Sequence, residues 1–288
     1  MKVLITGAQG QLGQALVRTP ADGIDVIAVT SKECDIVHEA SLQRCLDTAR
    51  PQVLINAAAY TAVDQAESER DRAFAVNAAA VANLAAACRD RAIKLVHIST
   101  DFVFDGAMGR PYRPDDVVRP LSVYGESKAE GERRIAQTPD LDWRVIRTAW
   151  VYAAAGRNFM LTMLRLFRER GHVRVVADQT GTPTSAPTLA RCVWAATLDT
   201  GACGVLHFTD AGVASWYDFA MAIYEEARAL GLIEREVTIE PIRSDQYPTP
   251  ARRPSYSVLE CSESRARLGQ VPVHWRVQLR EVLKELRS

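Results

Sequence analysis

The sequence predicts an α/β protein with a doubly wound parallel sheet of the Rossmann type and a smaller C-terminal substrate-binding lobe. Short β-branched runs alternate with stretches of helical period through the first two-thirds of the 288 residues. That alternation indicates parallel strands joined by right-handed crossovers. The runs are apolar almost without interruption, which is typical of strands buried on both faces. A glycine-rich turn directly follows the first run.

The elements are predicted in the following order. Strands are expected at residues 3–5, 26–29, 53–56, 95–99 and 144–147, with a sixth strand of the sheet at 173–177. Helices are expected at 11–18, 39–49, about 71–90, 127–137 and about 188–198. The lobe should contain a strand at 205–209, a helix at 216–230, a proline- and arginine-rich loop at 241–254 and an amphipathic helix at 276–286.

The sequence predicts two units. Residues 1–148 with about 172–200 would form a dinucleotide-binding domain, and residues 149–171 with 201–288 would form the substrate-binding lobe. The lobe is expected to cover the carboxyl edge of the sheet, where open α/β sheets bind their ligands.

Composition and cysteine usage argue against several classes of function and favour the cytoplasm. With 35 basic and 35 acidic residues the net charge is zero, which argues against binding to nucleic acid or to a membrane surface. The six cysteines form no C-x-x-C pair and no histidine cluster lies near them, so we expect reduced thiols and no zinc site. No secretory signal or membrane-spanning segment is expected from the sequence.

The first turn has the spacing of a phosphate-binding loop. Gly7, Gly10 and Gly13 stand between the first strand and the first helix, with Gln11 and Leu12 opening that helix. Gly7 would permit a tight turn, Gly10 a close backbone approach to a pyrophosphate, and Gly13 close packing of helix on strand. The helix N-terminus would attract the phosphates. An ordinary strand-to-helix turn is the alternative.

The end of the second strand bears on the choice of dinucleotide. NAD-binding proteins place a carboxylate at this tip to hold the ribose hydroxyls. Here we expect no acid at the tip, because the strand ends at Thr30 with Lys32 close behind and Glu33 only after it. This favours NADPH, with NADH as the alternative and a solvated loop lysine as the simpler explanation of Lys32. Asp35 and Ile36 are expected to flank the adenine.

Tyr124 and Lys128 carry the predicted chemistry. They stand four residues apart, on one face of a helix. Ketone reduction requires an acid that protonates the developing alkoxide, and we expect the ammonium of Lys128 to lower the pKa of the Tyr124 phenol. Thr100 ends the fourth strand, so its hydroxyl would bind the substrate carbonyl at the same edge. Taken alone, this tyrosine–lysine spacing is common on amphipathic helices.

Four motifs, together with the glycine pattern, carry a family resemblance. They are N-A-A-A-Y-T-A-V-D-Q-A-E at 56–67, S-T-D-F-V-F-D-G at 99–106, R-T-A-W-V-Y at 147–152 and T-P-A-R-R-P at 249–254. The chain resembles the extended short-chain dehydrogenase/reductase superfamily and, more narrowly, the dTDP-4-dehydrorhamnose reductase family. The resemblance runs from about residue 2 to the final helix.

The resemblance implies a substrate and a set of roles. Members of this family reduce the 4-keto group of dTDP-4-dehydro-L-rhamnose to give dTDP-L-rhamnose. By resemblance, Tyr124 donates the proton and Lys128 is its electrostatic partner. Both are also expected to contact the cofactor, Lys128 by a hydrogen bond to the nicotinamide ribose. The remaining roles implied are cofactor contacts from Gly10, Gln11, Leu12, Ala59, Tyr60 and Thr61, sugar contacts from Thr100, Asp101 and Trp150, and nucleotide or pyrophosphate contacts from Asn158, Arg252 and Arg253.

The chain departs from the family pattern in three places. Phe102 stands where many members have tyrosine, and Thr30 where some have an acid. Some members form a dimer bridged by Mg²⁺ through carboxylates, at places where this chain has Ala15 and Pro187, which cannot ligate a hard cation. We therefore predict no metal site, and either a monomer or a homodimer.

Other functions stay open from the sequence. Relatives of this branch include a non-catalytic, NADP-binding regulatory subunit of methionine adenosyltransferase, and an epimerase or reductase of another nucleotide-linked deoxysugar would share the same residues. A dehydratase is disfavoured because Phe102, not an acid, follows Asp101. His97 and the 216–219 segment are interpreted as core residues, and Arg147 as structural.

Overall fold

The computed structural model describes residues 1–287 of the chain. Its central sheet has six parallel strands in the order β2-β1-β3-β4-β5-β10. The strands are β1 (Lys2–Thr6), β2 (Asp25–Val29), β3 (Val53–Asn56), β4 (Lys94–Thr100), β5 (Trp143–Thr148), β6 (Val151–Tyr152), β7 (His172–Val176), β8 (Thr180–Gly181), β9 (Thr184–Ser185), β10 (Gly204–His207), β11 (Ala214–Ser215) and β12 (Thr238–Ile242).

Helices cover both faces of this sheet, which confirms the predicted doubly wound α/β fold. The helices are α1 (Gln11–Arg18), α2 (Glu39–Ala49), α3 (Val63–Ala66), α4 (Arg70–Phe74), α5 (Ala80–Asp90), α6 (Val123–Ala136), α7 (Phe159–Glu169), α8 (Ala186–Leu198), α9 (Trp216–Ala229), α10 (Ser262–Arg267) and α11 (Trp275–Lys284). Apolar residues of α1 and α8 pack on one face, and those of α2, α5 and α6 on the other. None of the helices in residues 1–287 is both long and apolar enough to cross a membrane.

The sixth strand of the sheet is not the predicted one. The 173–177 segment forms β7, which pairs with β12 in a separate two-stranded sheet, and β10 takes the edge position beside β5. In β7 the exposed His172 and Arg174 alternate with the buried Val173 and Val175. Only one face of β7 is therefore buried, and it packs against α7 and α9. The inner strands β3 and β4 of the central sheet are buried on both faces. The division of the chain into two units stays a prediction.

The helix predicted at 71–90 is interrupted. A π-helical turn, Ala75–Ala79, separates α4 from α5. At this turn α6 comes so close that a Cβ on Gly131 would lie 2.2 Å from the carbonyl oxygen of Asn77. Turns of this kind are frequent at functional sites. Helix α6 itself starts four residues earlier than predicted, because Ser122 caps it by accepting a hydrogen bond from the Gly125 amide at 3.2 Å.

Candidate active site

The carboxyl ends of β4 and β5 form the floor of the site. Thr100 and Thr148 are register partners at the ends of these strands. The Thr100 hydroxyl donates to Asp101 Oδ1 at 3.0 Å and accepts from the Phe102 amide at 3.2 Å. Two buried oxygens here, Asp101 Oδ2 and Thr148 Oγ1, have no hydrogen-bond partner within residues 1–287. Buried polar atoms are normally paired, so this edge is suited to a polar ligand. Sequence analysis did not single out Thr148.

Helix α6 delivers Tyr124 to this edge. A Cβ at Gly125 would lie 2.3 Å from the carbonyl oxygen of Phe102, so only glycine allows α6 to lie this close to the turn after β4. The Tyr124 hydroxyl is enclosed and hydrogen-bonded to Thr100, while part of its ring is exposed. Phe102 packs edge-on against that ring at a centroid distance of 5.7 Å. Tyr124, Thr100 and Asp101 are thus brought together as predicted.

The electrostatics of Tyr124 differ from the expectation. Burial raises the pKa of the phenol to about 12; the hydrogen bond to Thr100 lowers it and the charge of Asp101 raises it. Lys128 is not among the causes of this shift, and its Nζ donates to the carbonyl oxygen of Ile98 at 2.6 Å. The prediction that Lys128 lowers the pKa of Tyr124 is therefore wrong for this structure.

The pKa of Lys128 is also shifted from its usual value. Its side chain is 2% exposed, and burial lowers the pKa of the ammonium to about 8, against the opposing effect of the Glu132 carboxylate. The second neighbour of Nζ is His97 Nε2, at 3.2 Å. His97 is buried as predicted, but it contacts the site rather than only the core.

Asn77 connects the cofactor side of the site to α6, and sequence analysis missed it. Its Oδ1 accepts from the Tyr60 amide at 2.9 Å, and its Nδ2 donates to the Tyr60 carbonyl at 3.0 Å and to Ser127 Oγ at 3.0 Å. The predicted ribose-side segment, residues 59–61, is held in place by these bonds. The only local signal was an asparagine within an alanine-rich helical stretch.

The glycine loop has the geometry of a phosphate cradle. Gly7 has a φ of +72°, and a Cβ there would lie 2.6 Å from the Ala58 amide nitrogen. A Cβ on Gly13 would lie 2.3 Å from the carbonyl oxygen of Gly7. Gly10 precedes α1 without a side-chain cap, so the residue at the cap position does not compete for the first-turn amides of Gln11 and Leu12. These residues fit a dinucleotide pyrophosphate.

The tip of β2 is approached by the acid Glu33, although the strand itself ends before it. Glu33 folds back, and its Oε2 accepts from the Thr30 amide at 2.8 Å; this bond lowers the pKa of Glu33. The expectation of no acid at this tip is therefore wrong. Asp35 Oδ1 accepts from the Val37 amide at 3.0 Å in the following turn, and Ile36 is 5% exposed.

Asn158 caps α7 and reaches the glycine loop. Its Oδ1 accepts from the Leu161 amide at 2.9 Å, and its Nδ2 donates to Gln11 Oε1 at 2.8 Å and to the Ala153 carbonyl at 2.9 Å. The side-chain amide thus joins α7 to the start of α1. Its contact with a nucleotide sugar stays a prediction.

Two stacked tryptophans stand beside the sheet edge. The Trp150 ring lies 3.5 Å from that of Trp216 at an interplanar angle of 5°. Trp150 has a φ of +47°, uncommon for a non-glycine residue and a feature of constrained functional positions. A Cβ on Gly181 would meet the Trp150 ring at 2.6 Å. Trp216 belongs to this wall as well as to the core.

A cleft of about 720 Å³ extends from Trp216 along α7 and β7. Its rim includes Arg253, which forms two bonds to Asp64: Nη1 to Oδ1 at 2.9 Å and Nη2 to Oδ2 at 2.8 Å. The Ala251 amide also donates to Asp64 Oδ1, at 3.2 Å. This contact fixes the 249–253 loop over the cleft, while Arg252 is exposed.

The place of the metal bridge found in some relatives does not suit a cation here. Ala15 and Pro187 lie in one cleft of about 220 Å³ with Arg18 and Glu285. The Arg18 guanidinium is 3.7 Å from the Glu285 carboxylate and would repel a divalent ion. Three of the four side chains offer no ligand atom to a cation, and Glu285 alone is a carboxylate, so the set does not fit Mg²⁺.

We expect Asp101→Asn to stabilise the fold above pH 6. Burial raises the pKa of Asp101 from 3.8 to about 6, so the native state binds the proton more tightly than the unfolded state. The free energy of unfolding therefore falls by up to about 3 kcal/mol as pH rises through this window, and the loss persists at higher pH. The asparagine variant lacks this loss.

Denaturant unfolding at about pH 4.5 and about pH 7.5 checks this expectation. The stability difference between the variant and the native protein should grow with pH. Asp22→Asn, at an exposed carboxylate, is the matched control and should show no such growth. An equal difference at both pH values for Asp101→Asn would contradict the assigned cause.

Comparison with known proteins places this geometry among sugar-nucleotide enzymes. The family model described as RmlD substrate binding domain matches residues 1–288. A dTDP-4-dehydrorhamnose reductase of Burkholderia thailandensis is 42% identical over 100% of both chains. The solved dTDP-4-dehydrorhamnose reductase of Clostridium acetobutylicum superposes with a TM-score of 0.92 at 38% identity over 100% of both chains. The Bacillus anthracis enzyme, in complex with NADP, gives 0.91 at 34% over 99% of both.

Proposed function

Because the chain belongs to the dTDP-4-dehydrorhamnose reductase family, we propose that it reduces dTDP-4-dehydro-L-rhamnose to dTDP-L-rhamnose with NADPH. The observation that carries this proposal is the placement of the Tyr124 hydroxyl at Thr100, beside two unpaired buried oxygens at the sheet edge. A sugar carbonyl bound there would meet a hydroxyl donor, and its neighbouring hydroxyls would meet acceptors.

Tyr124 serves as the proton donor. A phenol with a pKa of about 12 stays protonated throughout the physiological range. The oxygen that it protonates becomes an alkoxide, a base comparable with hydroxide, whose conjugate acid has a pKa of about 15.7. The transfer is therefore downhill even without a lowered phenol pKa. Lys128, one turn along α6, would return a proton to the resulting phenolate when it is an ammonium.

The cofactor is held by the glycine loop and by the 59–61 segment. When bound, the nicotinamide would supply the hydride. The chain supplies the cradle of Gly7, Gly10 and Gly13, and Asn77 fixes the opposite wall through Tyr60. The NADP complex of the Bacillus anthracis relative supports NADPH for this chain.

The nucleotide of the substrate is assigned to the cleft along α7. The cleft volume of about 720 Å³ is within the range of small-ligand sites. Trp216 and Trp150 connect it to the sheet edge, and Arg253 lies at its rim in reach of a pyrophosphate. Asp64 holds the Arg253 guanidinium in place before the substrate binds, which reduces the side-chain entropy lost on binding.

The direct test supplies dTDP-4-dehydro-L-rhamnose with NADPH or NADH and follows loss of the reduced-nicotinamide absorbance. The product sugar is then identified by NMR. We expect stoichiometric oxidation of NADPH and formation of dTDP-L-rhamnose. A product epimeric at C4 would overturn the stereochemical assignment, and the absence of any turnover would overturn the substrate.

We expect Glu33→Ala to shift cofactor preference towards NADPH. The Glu33 carboxylate lies at the tip of β2, next to the Thr30 amide, where it repels a 2′-phosphate and can hold ribose hydroxyls. Its removal should raise kcat/KM for NADPH over NADH severalfold. The check is steady-state kinetics with both cofactors, with Lys32→Ala as the matched opposite change. An unchanged ratio in both variants would show that this tip does not select the cofactor.

A further inference from the structure

A buried chain of hydrogen bonds connects the central sheet to Lys128. Thr6 Oγ1 donates to Asn56 Oδ1 at 2.7 Å, Asn56 Nδ2 lies 3.0 Å from His97 Nδ1, and His97 Nε2 lies 3.2 Å from Lys128 Nζ. The four side chains are 0–2% exposed. Nothing in the proposed proton transfer requires this chain, so it calls for a separate explanation.

The hydrogen bonds determine which nitrogen of His97 carries a proton. The Ala58 amide donates to Asn56 Oδ1 at 3.2 Å, and since a backbone amide can only donate, the orientation of the Asn56 side chain is fixed. Nδ2 must then donate to His97 Nδ1. An Nδ1 that accepts this bond carries no proton, and burial holds the pKa of His97 well below its usual value, so the ring is neutral. Its single proton is therefore on Nε2, facing Lys128 Nζ.

We propose that His97, protonated on Nε2, is a positioning residue that donates a hydrogen bond to Nζ of Lys128 and stabilises that side chain as a neutral amine. An ammonium has no lone pair to accept this bond. Nζ keeps its donor role towards the Ile98 carbonyl at 2.6 Å, which an amine also satisfies. The inference rests on the proposed function in one respect only, namely the transfer of a proton from Lys128 to Tyr124.

The arrangement suits the return of a proton to Tyr124. In each turnover the Tyr124 O–H bond breaks and its proton forms the hydroxyl of the product sugar, leaving a phenolate. The ammonium of Lys128 then gives one proton to the phenolate oxygen, and the nitrogen keeps the electron pair. That pair is the one to which His97 Nε2–H donates. Lys128 regains its proton from solvent water, so no other reactant is needed.

The charges around Nζ are consistent with this role. Glu132 favours the ammonium, but it is paired with Arg147, whose Nη2 lies 2.7 Å from Glu132 Oε2. The π-helical turn presents the uncharged Asn77 to α6. The groups that act on the Lys128 side chain are His97 of β4, at hydrogen-bond distance, and Glu132 of α6 through its charge. Arg147 of β5 pairs with Glu132, and Tyr124 of α6 lies with Asp101 at the end of β4.

The tautomer can be measured on the native protein by ¹⁵N NMR of histidine-labelled material, without any activity assay. His207 is the internal control: its Nδ1 lies 3.0 Å from the Tyr112 carbonyl and its Nε2 lies 3.3 Å from Arg147 Nη1, so its proton must be on Nδ1. We expect opposite tautomers for His97 and His207. A proton on Nδ1 of His97, or on both nitrogens, would overturn the proposal even if the enzyme is active.

Two variants test the effect on Lys128. His97→Leu cannot donate to Nζ, whereas the side-chain amide of His97→Gln can. We expect the basic limb of the kcat–pH profile to move up by about half to one pH unit in the leucine variant and to stay near its native position in the glutamine variant. A merely structural role would lower kcat in both without moving the limb. His207→Gln should leave the limb in place.

Discussion

Tyr124→Phe should lower kcat by about 10²–10⁴-fold, the usual contribution of a positioned general acid. The substitution removes only the hydroxyl, which is enclosed at Thr100, and leaves the ring packed against Phe102. Affinity for NADPH should change little, because the glycine loop follows β1, which lies two strands away from β4 in the sheet. Single-turnover kinetics and a cofactor titration measure the two effects separately.

The matched control is Tyr224→Phe. The Tyr224 hydroxyl donates to the Arg235 carbonyl at 3.3 Å, so this variant loses a phenol of the same kind without touching the sheet edge. It should keep kcat within about twofold. If Tyr124→Phe retained near-native kcat, Tyr124 would not be the acid, and a water molecule held by Asp101 would become the donor to test.

The pH dependence of this reaction should come from Lys128 and not from Tyr124. The phenol pKa of about 12 lies above the accessible range, whereas the ammonium pKa is about 8. Activity that requires the ammonium is therefore full below pH 8 and is lost as pH rises through that value. The position of this basic limb is the quantity that the His97 variants are expected to change.

Local patterns were sufficient to predict which residues meet at the end of β4. The glycine spacing, the hydroxyl at the end of β4 and the Tyr124–Lys128 spacing each depend on residues close together in sequence, and the structure brings Tyr124, Thr100 and Asp101 together. The strands of the sheet were predicted within one or two residues where they are buried on both faces, because continuous apolar runs have few other solutions.

The predictions that were wrong concern features set by contacts between residues distant in sequence, or by a single side-chain torsion. β7 was assigned to the sheet because its apolar content resembles that of an inner strand, but its partner β12 lies more than sixty residues away. Glu33 turns back to the Thr30 amide, which residue order does not reveal. His97 was interpreted as a core residue, because its link to Lys128 depends on the packing of α6 on β4.

The largest effect on stability is expected at a buried ion pair behind the site. Arg147 and Glu132 are 3% and 7% exposed. Arg147 Nη2 lies 2.7 Å from Glu132 Oε2, and its Nε lies 3.0 Å from Oε1. Arg147 Nη1 also donates to the Pro114 carbonyl at 3.1 Å, so one guanidinium joins β5, α6 and the loop before α6.

Arg147→Met should lower the free energy of unfolding by about 3–5 kcal/mol, because it leaves the Glu132 carboxylate buried without its countercharge. The melting temperature should fall by roughly 5–10 °C. The double variant Arg147→Met/Glu132→Leu removes both charges and should recover part of this loss. If the double variant were as unstable as the sum of the single variants, the pair would contribute through packing rather than charge.

Glu132→Leu has a second consequence that stability alone does not show. The Glu132 carboxylate is the group that raises the pKa of Lys128 against burial. Without it, the ammonium should lose its proton at lower pH, so the basic limb of kcat should move down, opposite to the shift expected for His97→Leu. In this proposal His97 lowers the pKa of Lys128, whereas Glu132 raises it. Measuring both limbs under the same conditions tests whether this lysine, and not another group, sets the pH range of the reaction.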